Sequence, residues 1–158
     1  MAIYMHYDGI TGEATQDAHK DWIDISSLQF GIGRAISHGV GATANREASE
    51  PSISEITVTK TMDSASSKLF TESVTGSAGK TVKIDLVATG NPPNTYATYT
   101  LTNALISAYS VSTGGDRPSE SLSISFTKLE YKLTPYNSDG KAGSPVVVSY
   151  DLSTAKSG

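Results

Sequence analysis

A chain of 158 residues, 37% of them hydrophobic and only 18% charged, is long enough to bury one core, and a single domain over 1–158 is expected. Twelve Lys and Arg against 16 Asp and Glu leave a net charge of −4, and no basic cluster offers a nucleic-acid backbone a footprint. The absence of cysteine excludes disulfides and thiol chemistry, and no run of about 18 apolar residues provides for stable membrane insertion.

Met1 to Asp8 lacks the basic segment and long apolar run of a secretory leader, so any export is expected to need another machine. Ile3, Met5 and Tyr7 alternate with Tyr4, His6 and Asp8, which predicts a first strand ending in the turn Asp8-Gly9. Trp22 to Phe30 predicts a second strand. Its apolar parity changes between Ile25 and Leu28, which points to a bulge or to two covered faces. Gly31 to Pro51 breaks all periodicity and is longer than a compact domain normally spends on a loop.

Ile56, Val58 and Lys60 share one strand face against Thr57 and Thr59. Asp63 reads as an N-cap for a short helix carrying Ala65, Leu69, Phe70 and Val74, with Gly76 as its stop. Thr81 to Ala88 is a strand with Val82, Ile84 and Leu86 inward and Lys83 and Asp85 outward. Tyr96 to Val111 is a long strand, expected to bend near Asn103. Ser119 to Pro135 carries Leu122, Ile124 and Phe126 on one parity and Leu129, Tyr131 and Leu133 on the other, which requires a corner. Val146-Val147-Val148 closes the domain with a run apolar on both faces. Seven or eight strands, one helix and Gly/Pro turns predict a mostly β barrel or sandwich.

Chemistry-bearing patterns are sparse. His6, His19 and His38 have no close ligand spacing, although Asp8, Asp17 and Asp21 lie near in sequence. The carboxylates from Asp8 to Asp17 lack the alternating oxygen ligands of a calcium loop. The glycines at 31, 33, 39 and 41 precede no helix that could hold a phosphate, and no serine sits in a nucleophile elbow. No catalytic residue, metal or cofactor is expected. Ser121, Ser123 and Ser125 instead line one strand face with small hydroxyls, either an ordinary solvated face or the lining of a channel shared by several subunits.

In their order, these features resemble the tube protein of type VI secretion, the haemolysin-coregulated family. The resemblance rests on Asp8-Gly9-Ile10-Thr11-Gly12-Glu13, His19-Lys20-Asp21-Trp22-Ile23-Asp24-Ile25, Ile56 to Lys60, Val82-Lys83-Ile84, Val111-Ser112-Thr113-Gly114-Gly115 and Glu120 to Phe126. It covers nearly the whole chain. It implies a small closed β-barrel of two packed antiparallel sheets with one short helix and a long extended loop. It further implies a non-enzymatic homohexamer whose stacked rings form an inner tube, expelled by a contractile sheath, tipped by a spike protein and able to carry small effector proteins in its lumen. The protein would reside in the bacterial cytoplasm before firing and reach the extracellular space or a target cell afterwards, with no signal peptide.

The segment 31–51 matches the family's extended loop, which contacts the adjacent ring. Ile32, Ile36 and Val40 would supply apolar contacts there, and Arg46, Glu47 and Glu50 polar register. The chain departs from the common pattern in having fewer consecutive glycines. Trp22 is expected to be a structural strand anchor, and Ser121, Ser123 and Ser125 to face the lumen or a neighbouring subunit. Two other classes compete: a β-barrel binding protein without tube assembly, and a metal-dependent hydrolase built on His6 and His19. Native mass separates the first from a ring, and metal analysis tests the second.

Overall fold

The computed structural model describes residues 1–38, 46–48, 50–90 and 93–158, and only the backbone of residues 38 and 46–48. The strands are β1 (Ala2–Tyr7), β2 (Ile23–Ile25), β3 (Ser27–Gln29), β4 (Ile32–Gly33), β5 (Ile36–His38), β6 (Arg46–Ala48), β7 (Ser52–Ile53), β8 (Ile56–Thr61), β9 (Lys80–Ala88), β10 (Asn94–Ser112), β11 (Ser119–Ser125), β12 (Lys128–Leu133), β13 (Val146–Asp151) and β14 (Lys156–Ser157). One helix, α1 (Ser66–Thr75), and a 3-10 turn at Asp17–His19 complete the elements.

Two antiparallel sheets share the long strand β10. Sheet A runs β14-β13-β12-β10-β9-β1-β2, using the first half of β10. Sheet B runs β10-β11-β8-β3, using the second half. The expected bend lies at Asn103, whose φ of 56° is left-handed and whose pairing with β9 slips between Leu101 and Ala104. A short polar side chain tolerates that region better than most. Gly79 lies against this bend, where an added Cβ would stand 1.6 Å from Asn103 Oδ1.

The other two expected corners are also present. Ser26 separates β2 from β3 and donates its amide to Thr59 at 2.7 Å. Phe126 and Thr127 separate β11 from β12, so the two apolar sets of that segment lie in different sheets. The barrel is not closed by hydrogen bonds between its sheets. The chain itself carries the wall across the gaps, through Ser26 on one side and Asn103 on the other.

Period-two alternation builds the core. Met5 and Tyr7 of β1, Ile23 of β2, Ile56 and Val58 of β8, Val82 and Ile84 of β9, Leu101 of β10 and Leu122 and Ile124 of β11 are almost completely buried, and Leu69 of α1 seals one end. Each such side chain contributes about 1.5–3 kcal/mol relative to exposure. The Tyr7 hydroxyl is buried there without a hydrogen-bond partner among the described residues, and burial together with the Glu72 charge pushes it up to about 12.

Two readings need correction. The helix starts at Ser66, so Asp63 is not its N-cap; Asp63 Oδ1 instead accepts from the Ala65 amide at 3.0 Å in the turn before it. Asp85 does not point to solvent: the Asp17–His19 turn folds over sheet A, and His19 Nε2 meets Asp85 Oδ2 at 2.7 Å. The extended segment that follows Phe30 carries two short ladders among its described residues, β4 with β7 and β5 with β6, which together are termed the arm.

A buried ion pair lies under α1. Lys60 Nζ contacts Glu120 Oε1 at 2.7 Å and Asp63 Oδ1 at 2.8 Å, and neither Lys60 nor Glu120 side chain reaches solvent. Ser66 Oγ donates to Glu120 at 2.6 Å, and the Tyr109 hydroxyl donates to its other oxygen. Burial pushes the Glu120 carboxyl up, but the bonds from Lys60, Ser66 and Tyr109 together hold it below its ordinary value of 4.5. A carboxyl depressed by folding stabilises the fold fully above the unfolded pKa and loses that contribution as pH falls through the folded one. Chemical-denaturation midpoints should therefore fall as pH drops below 4.5, and Glu120→Gln should flatten that limb.

Candidate assembly surfaces

The outward face of sheet B is built from small hydroxyls. The register aligns Ser27, Thr59, Ser121 and Ser110 in one row across four strands, and Gln29, Thr57, Ser123 and Ala108 in the next. Neither row carries a formal charge. Ser27 Oγ and Thr59 Oγ1 lie 2.5 Å apart, and Thr57 Oγ1 and Ser123 Oγ 3.3 Å apart. The hydroxyls partly satisfy one another, leaving a low, hydrated wall whose two rows are uncharged, with Glu55 beside them accepting from the Ser107 hydroxyl. Ser121, Ser123 and Ser125 all lie on this face, half-buried by their neighbours.

Sheet A runs out past the barrel. One row on its core face joins Met5, Ile84, Tyr99, Tyr131 and Val148. Met5 and Ile84 are fully buried, Tyr99 and Tyr131 partly, and Val148 is 52% exposed. The next row ends in Leu133 and Val146, also exposed. A groove of about 210 Å³ lies between this overhang and Phe30, Ile32 and Ile53 at the base of the arm. Phe30 packs edge-on to Tyr99 with ring centroids 5.3 Å apart, and Tyr99 meets Tyr131 at 5.0 Å. Burial, then the neighbouring Tyr131 and Tyr96, raise the Tyr99 hydroxyl above its ordinary value. Val147 points to the opposite face, beside Lys132, so the valine run is exposed on both sides as its sequence implies.

The arm carries the other candidate contacts. Ile32 and Ile36 are 61% and 52% exposed, and Glu50 is exposed at the return. Arg46 and Glu47 lie in β6, opposite His38 and Ser37. Val40 lies outside the described residues.

Trp22 stands just before β2. Its ring meets His19 edge-on at 4.6 Å and tilts against His6 at 5.4 Å, while His19 stacks on Tyr4 at 4.7 Å. His19 Nδ1 faces Gln16 Oε1, and Thr98 donates to the second oxygen of Asp85 at 2.7 Å. The Trp22 backbone also receives the Ala14 amide at 2.9 Å, and Gly12 lies so close that an added Cβ would meet Trp22 O at 2.3 Å. Gly12 and Trp22 thus form one close-packed unit holding the 3-10 turn on sheet A. Trp22→Ala should lower stability by about 2 kcal/mol, less than the roughly 3–5 kcal/mol of a fully buried large aromatic because Trp22 is only half-buried. An unchanged melting profile would contradict this role.

His6 and His19 are brought together, but by ring packing around Trp22. Among the described residues no group of three or more His, Cys, Asp or Glu is placed to hold a metal ion. Sequence reasoning missed the Lys60–Glu120 and His19–Asp85 pairs as pairs. Strand parity carried a signal for the first, since Lys60 follows Ile56 and Val58 on the core face and Glu120 precedes Leu122 and Ile124.

The model of a family described as "Type VI secretion system effector, Hcp" matches residues 4–133. Among solved structures, one described as that of a type six secretion system protein is 27% identical, with a TM-score of 0.91 over 99% of both chains. Hcp1 from Salmonella typhimurium is 23% identical with a TM-score of 0.78, covering 99% of this chain and 97% of that one. A type VI secretion system effector from Yersinia pestis is 22% identical with a TM-score of 0.75, covering 94% and 98%. No curated protein sequence gives a significant match.

Proposed function

The chain belongs to the Hcp family of the type VI secretion system, and on that premise we propose that it is the structural, non-enzymatic subunit of the secretion tube. Hexameric rings stack into the inner tube, which the contractile sheath expels behind its spike. The subunit folds in the cytoplasm and leaves the cell with the tube.

The observation that carries this reading is the pair of uncharged hydroxyl rows on sheet B. Turned toward the ring axis, it lines the lumen with Ser121, Ser123 and Ser125 and their neighbours. Rows without fixed charges have no strong attraction for a passing protein, yet their hydroxyls can hold hydration or a small effector by weak hydrogen bonds. The exposed apolar overhang of sheet A supports assembly, because apolar surface left in water by one chain is covered by the next. The arm spans the joint between rings, with Ile32, Ile36 and Val40 as apolar contacts and Arg46, Glu47 and Glu50 as polar ones. Electron microscopy of the purified protein, with and without Ser123→Trp, tests the lumen assignment. The variant should keep the ring diameter and narrow the central density. A change on the outer rim instead would overturn the assignment.

A further inference from the structure

Sheet B keeps the charges of its own strands away from its hydroxyl face. Within β3, β8, β11 and the second half of β10 the only charged residues are Lys60 and Glu120, and both are buried. Glu55 stands one residue before β8, exposed, on the parity of Thr57 and Thr59 and opposite to the buried Ile56 and Val58. Alternation therefore places it on the hydroxyl face. A second observation fixes its carboxylate there. The pairing of β10 with β11 slips between Ile106 and Ala108, and the extra residue of that bulge is Ser107. A bulge re-aims a side chain out of the regular alternation. The Ser107 hydroxyl donates to Glu55 Oε2 and lies 3.2 Å from the Ser123 carbonyl oxygen. Because β11 runs between β8 and β10, Glu55 reaches across β11 to meet Ser107. The carboxylate thus lies over the face and not off its edge. Gln29, Glu55 and Thr57 line a depression of about 340 Å³ there, room for an ammonium or guanidinium head.

We propose that Glu55 is the docking point for a cationic effector surface inside the tube. This rests on the ring and lumen reading above and names the chemistry of the cargo within it. Rotational symmetry sets every copy of Glu55 at one height, so the copies form a belt of carboxylates around the passage. The two rows beside the belt are hydroxyls, an amide and an alanine, with no cation to neutralise it. A concave passage carrying one sign of charge focuses the field and draws in the opposite sign. Lysine and arginine side chains of a small protein meet the belt, the hydroxyl rows add weak hydrogen bonds, and an acidic cargo is repelled at the same level. Each exposed ion pair is weak by itself, and the subunits of the ring offer it together.

The full chain, its assembly state established by light scattering, is titrated against a fluorescently labelled oligolysine peptide, with an oligoglutamate peptide of equal length as the opposite probe. Rings should bind oligolysine and not oligoglutamate. The binding should weaken as salt is raised, because exposed charges are screened beyond about 8 Å at 0.15 M ionic strength. Glu55→Gln should weaken it about tenfold, the weight of roughly two or three exposed ion pairs lost together. Glu130→Gln makes the same charge change on the outward face of sheet A and should leave the binding unaltered. Equal losses in the two variants would show that the peptide reads overall charge and would overturn the proposal. Glu55→Gln rings that bind as tightly as the original would also overturn it, and in both cases the intact rings leave the ring reading standing. A chain that stays monomeric by light scattering would overturn both.

Discussion

Lys60→Ala should destabilise the subunit by about 3–5 kcal/mol, because it strands the Glu120 carboxylate in a site buried from solvent. Ser66 and Tyr109 still donate to that carboxylate, but two neutral hydroxyls do not replace an ammonium. For a chain of this size the loss corresponds to a melting shift of roughly 10 °C. Glu120→Ala should cost a similar amount by leaving the buried Lys60 ammonium with Asp63 as its one remaining charged contact, beside the neutral Thr61 carbonyl and Ser66 hydroxyl. Replacing both partners together, Lys60→Met with Glu120→Leu, should cost much less than either single change, because it removes the charges along with their desolvation. Urea titration of the three variants checks this. Single-variant losses below about 1 kcal/mol would show that water reaches the pair and that α1 does not seal the barrel end.

Replacing residues 37–47 by a short Gly-Ser link should leave the subunit folded and ring-forming but abolish tube stacking and secretion. The arm's ladders pair β4 with β7 and β5 with β6, while the core is drawn from other strands. Loop shortening changes closure entropy by well under about 1 kcal/mol, so folding has little to lose. Circular dichroism, sedimentation and a secretion assay separate the outcomes. Normal stacking and secretion would reduce the arm to a surface loop, and failure to fold would make it part of the core.

The fold was legible wherever parity was clean. Met5/Tyr7, Val82/Ile84 and Leu122/Ile124 announced their strands, and the parity breaks at Ser26 and Phe126 announced the corners, because a strand cannot change faces without one. Asn103 was legible as the bend of β10. Asp85 was misread because the Asp17–His19 turn that covers it is distant in sequence, and strand alternation carries no information about what folds over a face. The arm was legible as an extended segment but its ladders were not, because two and three residue pairs are too few for periodicity to register. The tube resemblance, read from ordered motifs such as Asp8-Gly9 and Trp22-Ile23-Asp24, agrees with the family match over residues 4–133. What the sequence could not place was the hydroxyl face relative to a lumen, since that depends on neighbouring chains.

Native mass measurement of the purified protein at micromolar concentration tests the ring directly. A tube subunit with uncovered apolar patches on two separate elements should appear as a closed hexamer of the 16.6 kDa chain. A stable monomer, with Val146, Val148, Phe70 and Val74 left in water, would contradict it.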